Sequence, residues 1–493
     1  MAAREIGTWC SCRVCSEIRS TIDRITRVLE IYGWMLDAYV VDFFQDNVWQ
    51  KVPKCWTNFL DGASPEELGN WMLKESGSKL VWPLSLLALR AFIESVEIPR
   101  DHKGTSKFKC SSDDTRFVNE LVTDDEKKAG VLGQFANLFT KHVKKKKRYE
   151  IDVLSQIAAK CANAAGCKCI VDIGAGMGHL ARALAYGHQL CVVCVEQNES
   201  LLETARKWDE QLKVSITKHV SDFSGKKPQH VSLLVGVTRA ARQQLANQLS
   251  GIFVEKFHDN SGFGLIGLHP CGDLAATLLK FYASEEKARF ICIVGCCYMK
   301  LTMGDNTDRG YPMSQYLLEN NNYELSYAAM EVACHAIEKH CDKLKASDYS
   351  DLKVHAYRAV LECLLIEKNP SLRHAQLKST KIKLDTTFRE YCSSVTANLD
   401  VQHQPTKADV ESDVVKSFLE QWKRVLIFAS LRLFIAPLVE SLVLFDRFLY
   451  LSELNLSPSL KAEFDSRVSP RNILLVSTKK KTDTLSKLDS YVD

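Results

Sequence analysis

The sequence predicts an α/β fold: a mainly parallel sheet with helices on both faces, a helical unit before the sheet domain and a helical insertion before its last strand. Two observations predict this architecture. From about residue 141, near-continuous apolar runs alternate with helical patterns, as in parallel sheets whose strands are joined by helices. Outside that region, residues 18–93 and 323–454 repeat apolar residues at three- and four-residue spacing, which is typical of helices.

Six strand-like segments define the predicted sheet. Each is an apolar run that leads into a turn or a helical pattern. In chain order they read CKCIVDIG, QLCVVCVEQN, VSITKHVSDF, GFGLIGLHP, RFICIVGCCY and, after the insertion, RNILLVSTK. We therefore predict four parts of the chain: a helical N-terminal unit with a polar linker at 1–126, the main part of the sheet domain at 127–322, the helical insertion at 323–463, and the final strand or strands with the tail at 464–493.

Composition narrows the class of protein. A net charge of +4 over 493 residues is too small to indicate a nucleic-acid binder by itself. The 18 cysteines are scattered, several of them lie in apolar strands, and the N-terminus lacks the apolar core of a signal peptide. These features predict an intracellular protein, cytoplasmic or nuclear, with mostly reduced thiols.

Five cysteines raise the question of a metal site. Cys10, Cys12 and Cys15 lie close together in the sequence, and Cys55 and Cys110 could join them around zinc. Zinc sites usually combine closely spaced pairs of ligands. Because this spacing is irregular and a second close pair is lacking, we predict no metal.

The most membrane-like segment is residues 425–445, VLIFASLRLFIAPLVESLVLF. Arg432, Pro437 and Glu440 interrupt it, and each central charge disfavours membrane insertion by roughly 2.5 to 3.5 kcal/mol. We therefore expect a buried helix here, with membrane association as the alternative.

A glycine-rich turn follows the first predicted strand, in VDIGAGMGHL. Asp172 stands two residues before Gly174, and Gly176 and Gly178 follow. A dinucleotide-binding turn would need its third glycine at His179, so the spacing favours an S-adenosylmethionine-binding turn. Glycines at a strand-to-helix crossover let a ligand approach the backbone closely.

Two acidic residues complete the predicted cofactor site. Glu196 ends the second strand, where a carboxylate can accept hydrogen bonds from both ribose hydroxyls. Asp222 ends the third predicted strand and is placed for the adenine amino group, although a turn or N-cap role explains it equally well. The predicted cofactor-binding residues are Asp172, Gly174, Ala175, Gly176, Gly178, Glu196 and Asp222.

With these motifs, the sequence resembles the methyltransferase-like protein 25 family, and most closely its B branch. The resemblance spans nearly the whole chain. It is carried by VDIGAGMGHL, GLHPCGDL, VGCCYMKL and GYPMSQYL, and outside the core by LDAYVVDFFQDNVW, VWPLSLLAL, APLVESLVLFDRFLYL and SPRNILLVSTK. It implies a Rossmann-like class I methyltransferase fold with S-adenosylmethionine as the cofactor.

In such a fold, the end of the fourth strand faces the methyl group. Adenine N6 dimethylases place Asn-Leu/Ile-Pro-Tyr/Phe there to hold the amine, whereas this chain has His269-Pro270-Cys271-Gly272. The departure argues against adenine dimethylation. HPCGDLA and GCCYMK also resemble, more loosely, segments of tRNA 2′-O-methyltransferases, which suggests an RNA ribose as the methyl acceptor.

The predicted catalytic residues are His269, Cys271, Asp273 and Tyr298. His269 is a candidate general base that Asp273 could orient, although Asp273 serves equally well as an N-cap or first-turn carboxylate. Cys271, Cys296 and Cys297 could be small packing residues, a thiolate or, with His269, metal ligands. Tyr298 could contact the substrate or pack inside the fold.

A basic run precedes the glycine-rich turn and suggests RNA as a partner. Its residues are Lys144, Lys145, Lys146, Lys147 and Arg148. On a helix they could bind phosphates, or they could form a solvated face. Two alternatives to an RNA methyltransferase stay open: methylation of a protein or small molecule, and a scaffold that binds the cofactor or a partner without turnover.

Overall fold

A computed structural model of the chain describes residues 10–75, 80–104, 106–110, 143–218, 226–304, 308–320, 323–346, 349–378, 380 and 385–479. The chain divides into two compact units. The first comprises residues 1–24, 98–322 and 441–493, and the second comprises residues 25–97 and 323–440. All the strands of the described sheet belong to the first unit, so that unit positions the candidate site.

An eight-stranded sheet forms the centre of the first unit. Its strands are β1 (Phe108–Lys109), β2 (Cys169–Ile173), β3 (Cys191–Glu196), β4 (Gln229–Ser232), β5 (Phe263–Leu268), β6 (Ala288–Val294), β7 (Ser457–Ala462) and β8 (Ile473–Thr478). They lie in the order β1-β7-β8-β6-β5-β2-β3-β4. The neighbouring strands β6, β5, β2, β3 and β4 pair in parallel. β8 runs antiparallel to both of its neighbours, β6 and β7.

The strand order reverses at β2. This strand pairs with β3 on one side and with β5 on the other, so that Cys169 stands beside both Cys191 and Phe263. Every residue of β2 is buried, which explains its continuous apolar run. In open α/β sheets, ligands bind outside the carboxyl ends of the strands at such a reversal. The predicted α/β fold with a parallel sheet is confirmed.

The position predicted for the third strand is wrong. In the described part of VSITKHVSDF, Val214–Thr217 form the last turn of a helix, and the third parallel strand, β4, begins only at Gln229. Ile216 is buried on the core face of that helix together with Leu212. The β-branched Ile216 therefore belongs to a helical face, while Val214 is exposed. β4 is an incompletely buried edge strand whose sequence lacks an apolar run.

Two late strands close the other side of the sheet. The predicted final strand corresponds to β8, but β7 precedes it within the segment that the sequence assigned to the helical insertion. β7 joins the short β1 to the rest of the sheet, with Phe108 opposite Leu460. Its sequence, SPSLKA, contains a proline and polar residues, which is why it gives a weak strand signal.

Helices surround the sheet and form the second unit. They are α1 (Arg13–Tyr32), α2 (Trp34–Asp37), α3 (Val48–Lys51), α4 (Lys54–Leu60), α5 (Pro65–Met72), α6 (Leu84–Val96), α7 (Lys145–Ala164), α8 (His179–Arg182), α9 (Glu199–Thr217), α10 (Arg239–Ile252), α11 (Asp273–Ser284), α12 (Gln315–Asn320), α13 (Tyr327–Val332), α14 (Ile337–Lys345), α15 (Ser350–Lys368), α16 (Phe388–Val395), α17 (Lys407–Val410), α18 (Asp413–Glu420) and α19 (Trp422–Glu453). Short 3₁₀ turns lie at Val40–Asp42, Tyr298–Lys300, Pro370–Leu372 and Val401–His403, and π-helical turns at Ala183–Gly187 and Phe253–Phe257.

The second unit combines the predicted N-terminal helical unit with the predicted insertion. Arg432, in α19, shows why they fold together. Its Nε and Nη2 atoms donate to the backbone oxygens of Met35 and Leu36 at 2.9 and 2.8 Å. A buried guanidinium needs hydrogen-bond acceptors. Here the N-terminal segment supplies them to a side chain of the insertion. The predicted division at residue 126 therefore differs from the observed units.

The apolar run at 425–445 lies in α19. Among the described residues, α19 is the helix that is long and apolar enough to cross a membrane by length and composition. Its most apolar window is 89% buried inside the structure. Such burial is also typical of a core helix in a soluble protein.

Candidate active site

The glycine-rich turn connects β2 to α8 beside the strand reversal. The Gly174 and Ala175 N–H groups both donate to the Val195 oxygen, at 2.9 and 3.2 Å, and so fix the turn to the end of β3. Gly176 has a φ of 55°, in the left-handed region that favours glycine. A methyl group added at Gly176 would meet no atom within 4 Å. The backbone there faces open space, as a ligand-binding turn requires.

Glu196 lies at the end of β3, as predicted, and braces this turn. Its Oε2 atom accepts from the Gly176 N–H at 3.0 Å. Its Oε1 atom accepts from the N–H groups of Gln197 and Asn198 at 2.9 and 3.1 Å. Each carboxylate oxygen has two lone pairs, so these backbone bonds occupy Oε1 fully and leave one lone pair on Oε2 for a ribose hydroxyl.

A cleft of about 380 Å³ opens at the glycine-rich turn. It is lined by Val143, Lys144, Lys147, Asp172, Gly174, Ala175, Gly176, Met177, His179, Leu180 and Leu268. Asp172 is 3% exposed, and its Oδ2 atom is buried without a hydrogen-bond partner. Burial raises the pKa of Asp172 to about 7; the nearby Lys147 ammonium opposes the rise and the Glu196 carboxylate adds to it. A buried carboxyl oxygen without a partner can still accept a hydrogen bond, so Asp172 is a candidate ligand-binding group.

A buried ionic network supports the turn from behind. Arg182 Nη1 donates to Asp209 Oδ1 at 2.8 Å, Arg182 Nη2 donates to the Met177 oxygen, and His230 Nε2 lies 2.6 Å from Asp209 Oδ2. A methyl group added at Gly178 would lie 2.8 Å from His230 Cε1. The turn is therefore open at Gly176 and tightly packed at Gly178.

The basic run divides between the cleft and solvent. Lys147 is half-buried and lines the cleft with Lys144, and burial lowers the Lys147 pKa against the pull of Glu150 and Asp172. The side chains of Lys145, Lys146 and Arg148 lie at or near the surface of α7. The sequence treated all five cations as one patch, whereas Lys144 and Lys147 line the cleft.

His269 follows β5 and is paired with a distant glutamate. Its Nε2 atom lies 2.9 Å from Glu150 Oε1, and Ser469 Oγ donates to the same oxygen at 2.6 Å. Burial favours the neutral Glu150 carboxyl, but the contacts with His269, Ser469 and Lys146 prevail and lower its pKa to about 2. His269 Nδ1 is buried without a hydrogen-bond partner. The Glu150 carboxylate thus fixes one ring nitrogen of His269, and the other, Nδ1, has no partner.

Asp273 does not orient His269. It is the first residue of α11, and its Oδ1 atom accepts from the Thr302 N–H at 2.8 Å while its Oδ2 atom accepts from the Thr302 hydroxyl. The helix has no side-chain cap bond. Asp273 instead fixes the segment that follows β6, and Glu150 takes the orienting place that the sequence offered to Asp273.

The structure brings the three predicted thiols together at the ends of β5 and β6. The Sγ atom of Cys271 lies 3.3 Å from that of Cys296 and 3.4 Å from that of Cys297, and the Cys296 and Cys297 atoms are 3.4 Å apart. Cys271 is exposed and the other two are half-buried. Three such thiols could supply three ligands to a metal with an open position. His269 is not part of this group, because its Nε2 atom faces Glu150.

Tyr298 is buried rather than presented to solvent, at 2% exposure. The guanidinium carbon of Arg447 lies 5.8 Å from the centre of its ring. Arg447 itself is 2% exposed, with Nε and Nη1 lacking hydrogen-bond partners. The neighbouring Asp446 accepts from the N–H groups of Met313 and Ser314.

Sequence reasoning missed Glu150, Ser469 and Arg447 as parts of this site. The available signal for Arg447 was the charged pair in SLVLFDRFLYL, at the end of an otherwise apolar run. Asp222 lies outside the described residues. Its assignment assumed that the third strand ends at Asp222, yet β4 begins seven positions later, at Gln229. The contact with adenine therefore stays a prediction, and the strand position on which it was based is wrong.

Comparison with known proteins covers the same region. A family model described as "Methyltransferase domain" matches residues 146–304. The chain is 26% identical to the probable methyltransferase-like protein 25 of Mus musculus over 230 residues, which cover 44% of this chain and 38% of that protein. It is 28% identical to the Homo sapiens protein of the same name over 231 residues, covering 44% of this chain and 37% of that protein. The match thus spans well under half the length of these relatives.

Proposed function

We propose that this chain, a member of the methyltransferase-like protein 25 family with a methyltransferase domain, uses S-adenosylmethionine, with RNA as the preferred class of acceptor. One observation carries the proposal: the cleft of about 380 Å³ at the strand reversal, with Gly176 open and Asp172 lining it. The finer placement in the B branch of the family stays a prediction.

The residues of the cleft fit this cofactor. The buried Oδ2 atom of Asp172, which lacks a partner, would accept from the ammonium group of the methionine part. Lys147 lines the same cleft and would pair with its carboxylate. Glu196 Oε2 would accept from one ribose hydroxyl, and the open face of Gly176 leaves room for the ligand. When bound, the cofactor supplies an electrophilic methyl carbon on a sulfonium.

The residues after β5 fit the task of removing a proton from the acceptor. Methyl transfer to a hydroxyl or amine releases one proton, which a positioned base must take. His269 Nε2 lies 2.9 Å from the Glu150 carboxylate, so we assign the ring proton to Nε2 and the role of proton acceptor to Nδ1. Glu150 holds the ring and favours the imidazolium that forms. The acceptor thus gains a methyl group and His269 gains the proton.

The preference for RNA rests on charge beside the cleft. Lys145, Lys146 and Arg148 lie on α7, the helix that also carries Lys147 and Glu150. Cations placed this way could bind phosphates while an acceptor group enters the cleft. Such binding would weaken steeply with salt, because it depends on the release of counterions.

Transfer of tritium from labelled S-adenosylmethionine tests the proposal. The purified chain is incubated separately with fractionated RNA, protein and small metabolites, and a His269→Asn variant serves as the control for background labelling. We expect label in RNA that depends on His269. Label only in protein or in metabolites would refute the RNA preference, and a lack of transfer to all three pools by a chain that binds the cofactor would favour the scaffold alternative.

A further inference from the structure

Four cysteines meet at the edge of the first unit, far from the cleft residues in sequence. The Sγ atom of Cys110 lies 3.6 Å from that of Cys10, 3.8 Å from that of Cys12 and 3.7 Å from that of Cys15. All four sulfurs lie within 4.8 Å of one another. Cys15 and Cys110 are buried, while Cys10 and Cys12 are half-buried.

These separations match a tetrahedral zinc site. Zinc binds thiolate sulfur at about 2.3 Å, so two sulfurs at corners of a regular tetrahedron lie about 3.8 Å apart. A disulfide would need about 2.05 Å between its sulfurs, far less than any separation here. A four-iron cluster occupies much more space than one ion and would force its cysteines further apart than this cluster allows.

The local backbone is arranged around the same point. Cys12 immediately precedes α1 and Cys15 lies in its first turn, so the positive end of the helix dipole faces the sulfurs. The Cys15 N–H donates to Cys12 Sγ at 3.4 Å, and Arg19 donates to the Cys10 oxygen at 3.0 Å. Positive groups of this kind offset the net negative charge that four thiolates keep after binding a divalent ion.

We propose that Cys10, Cys12, Cys15 and Cys110 bind one zinc ion as a closed structural site. The site fastens the N-terminal segment to the sheet, because Cys110 directly follows β1 and its N–H donates to the Pro458 oxygen at 3.0 Å. With four protein ligands the ion has no open position, so its role is structural rather than catalytic.

The proposal replaces the prediction that the chain holds no metal. The sequence named these four cysteines but also Cys55, which is exposed and contacts Ser85 instead. Its irregular spacing hid the site, because Cys110 stands 95 residues after Cys15 and only the fold brings it back. All four ligands lie outside residues 146–304, so the failure of either proposal leaves the other intact.

Metal analysis of the purified full-length chain tests the site. The three thiols at the ends of β5 and β6 could contribute metal, so the reference protein is the variant Cys271→Ser, Cys296→Ser, Cys297→Ser. We expect it to retain one zinc per chain through gel filtration with a weak chelator. Adding Cys15→Ser and Cys110→Ser should remove that zinc, whereas adding Cys55→Ser should leave it.

A second measurement does not depend on whether the variants that also lack Cys15, Cys110 or Cys55 fold. X-ray absorption at the zinc edge of the reference protein should show four sulfur ligands at about 2.3 Å. Nitrogen or oxygen in the first coordination shell, disulfides between these cysteines, iron in place of zinc, or equal zinc after the loss of Cys15 and Cys110 would each overturn the proposal.

Discussion

The carboxyl ends of β2 and β5 lie on neighbouring strands and are built in opposite ways. The β2 end is a short local motif, in which Asp172 and Gly176 border open space. The β5 end is assembled from distant parts of the chain, since His269 is held by Glu150 and Glu150 in turn by Ser469, 319 residues further on. The difference teaches that the proposed cofactor side depends on backbone geometry, while the proposed acceptor side depends on tertiary contacts.

The largest expected effect is at the β5 end. Replacing His269 by Asn should lower kcat by about 10² to 10⁴-fold, the usual contribution of a general base. Asn suits the positive φ of 68° at this position, so the fold should be kept. Single-turnover transfer with saturating cofactor measures the effect.

The exposed His258, which also has a positive φ, supplies the matched control as His258→Asn. If His269→Asn kept the wild-type rate, His269 would not be the general base. The functional difference proposed between the β5 end and the β2 end would then be contradicted.

Two glycines at the β2 end should separate binding from stability. Gly178→Ala should lower the free energy of unfolding by about 1 to 3 kcal/mol, because its new methyl group would press on the buried His230 and its φ of 70° strains alanine. Gly176→Ala meets no neighbour, so it should cost only about 1 kcal/mol from backbone strain.

The same Gly176→Ala methyl group should impede the cofactor, whereas Gly178 lies behind the turn. Urea unfolding and cofactor titration of both variants measure the two effects. Equal losses of stability would contradict the open face assigned to Gly176.

The sequence predicted the β2 end of the site far better than the β5 end. The turn after β2 and Glu196 could be predicted because strand, glycines and acid follow one another within 28 residues of chain, from Cys169 to Glu196. The partner of His269 could not, since Glu150 lies 119 residues away and no spacing links them. Asp273 was closer in sequence but is held by Thr302. The third parallel strand was misplaced because the β-branched residues at 214–217 belong to a helix, where only Ile216 is buried.

Asp172 should make cofactor binding depend on pH. Because burial raises its pKa to about 7, its carboxyl is mostly neutral at pH 6 and mostly charged at pH 8. Only the charged form attracts the cofactor's ammonium group, so the affinity should rise by about tenfold over this range.

Titration of the wild type and of Asp172→Asn at both pH values measures this rise. The variant should bind more weakly and lose the pH dependence that Asp172 causes. A wild-type affinity that falls as pH rises would reverse the sign and remove this role.

A change in stability tests the support of the β5 end. Ser469→Ala removes the hydroxyl that donates to Glu150 at 2.6 Å, so the free energy of unfolding at pH 7 should fall by about 1 to 3 kcal/mol. Ser466→Ala, in the same loop and half-buried, is the control. Because the Glu150 pKa is lowered to about 2, its stabilising contribution is present above pH about 4.5 and is lost as pH falls toward 2.

Calorimetric titration of the full chain with S-adenosylmethionine tests the central claim most directly. We expect saturable one-site binding, weakened by about 10- to 100-fold in Glu196→Ala through the loss of hydrogen bonds to a charged group, and unchanged in Glu203→Ala, whose side chain is exposed on α9. A folded chain that binds no S-adenosylmethionine, or that binds it equally well without Glu196, would contradict the account.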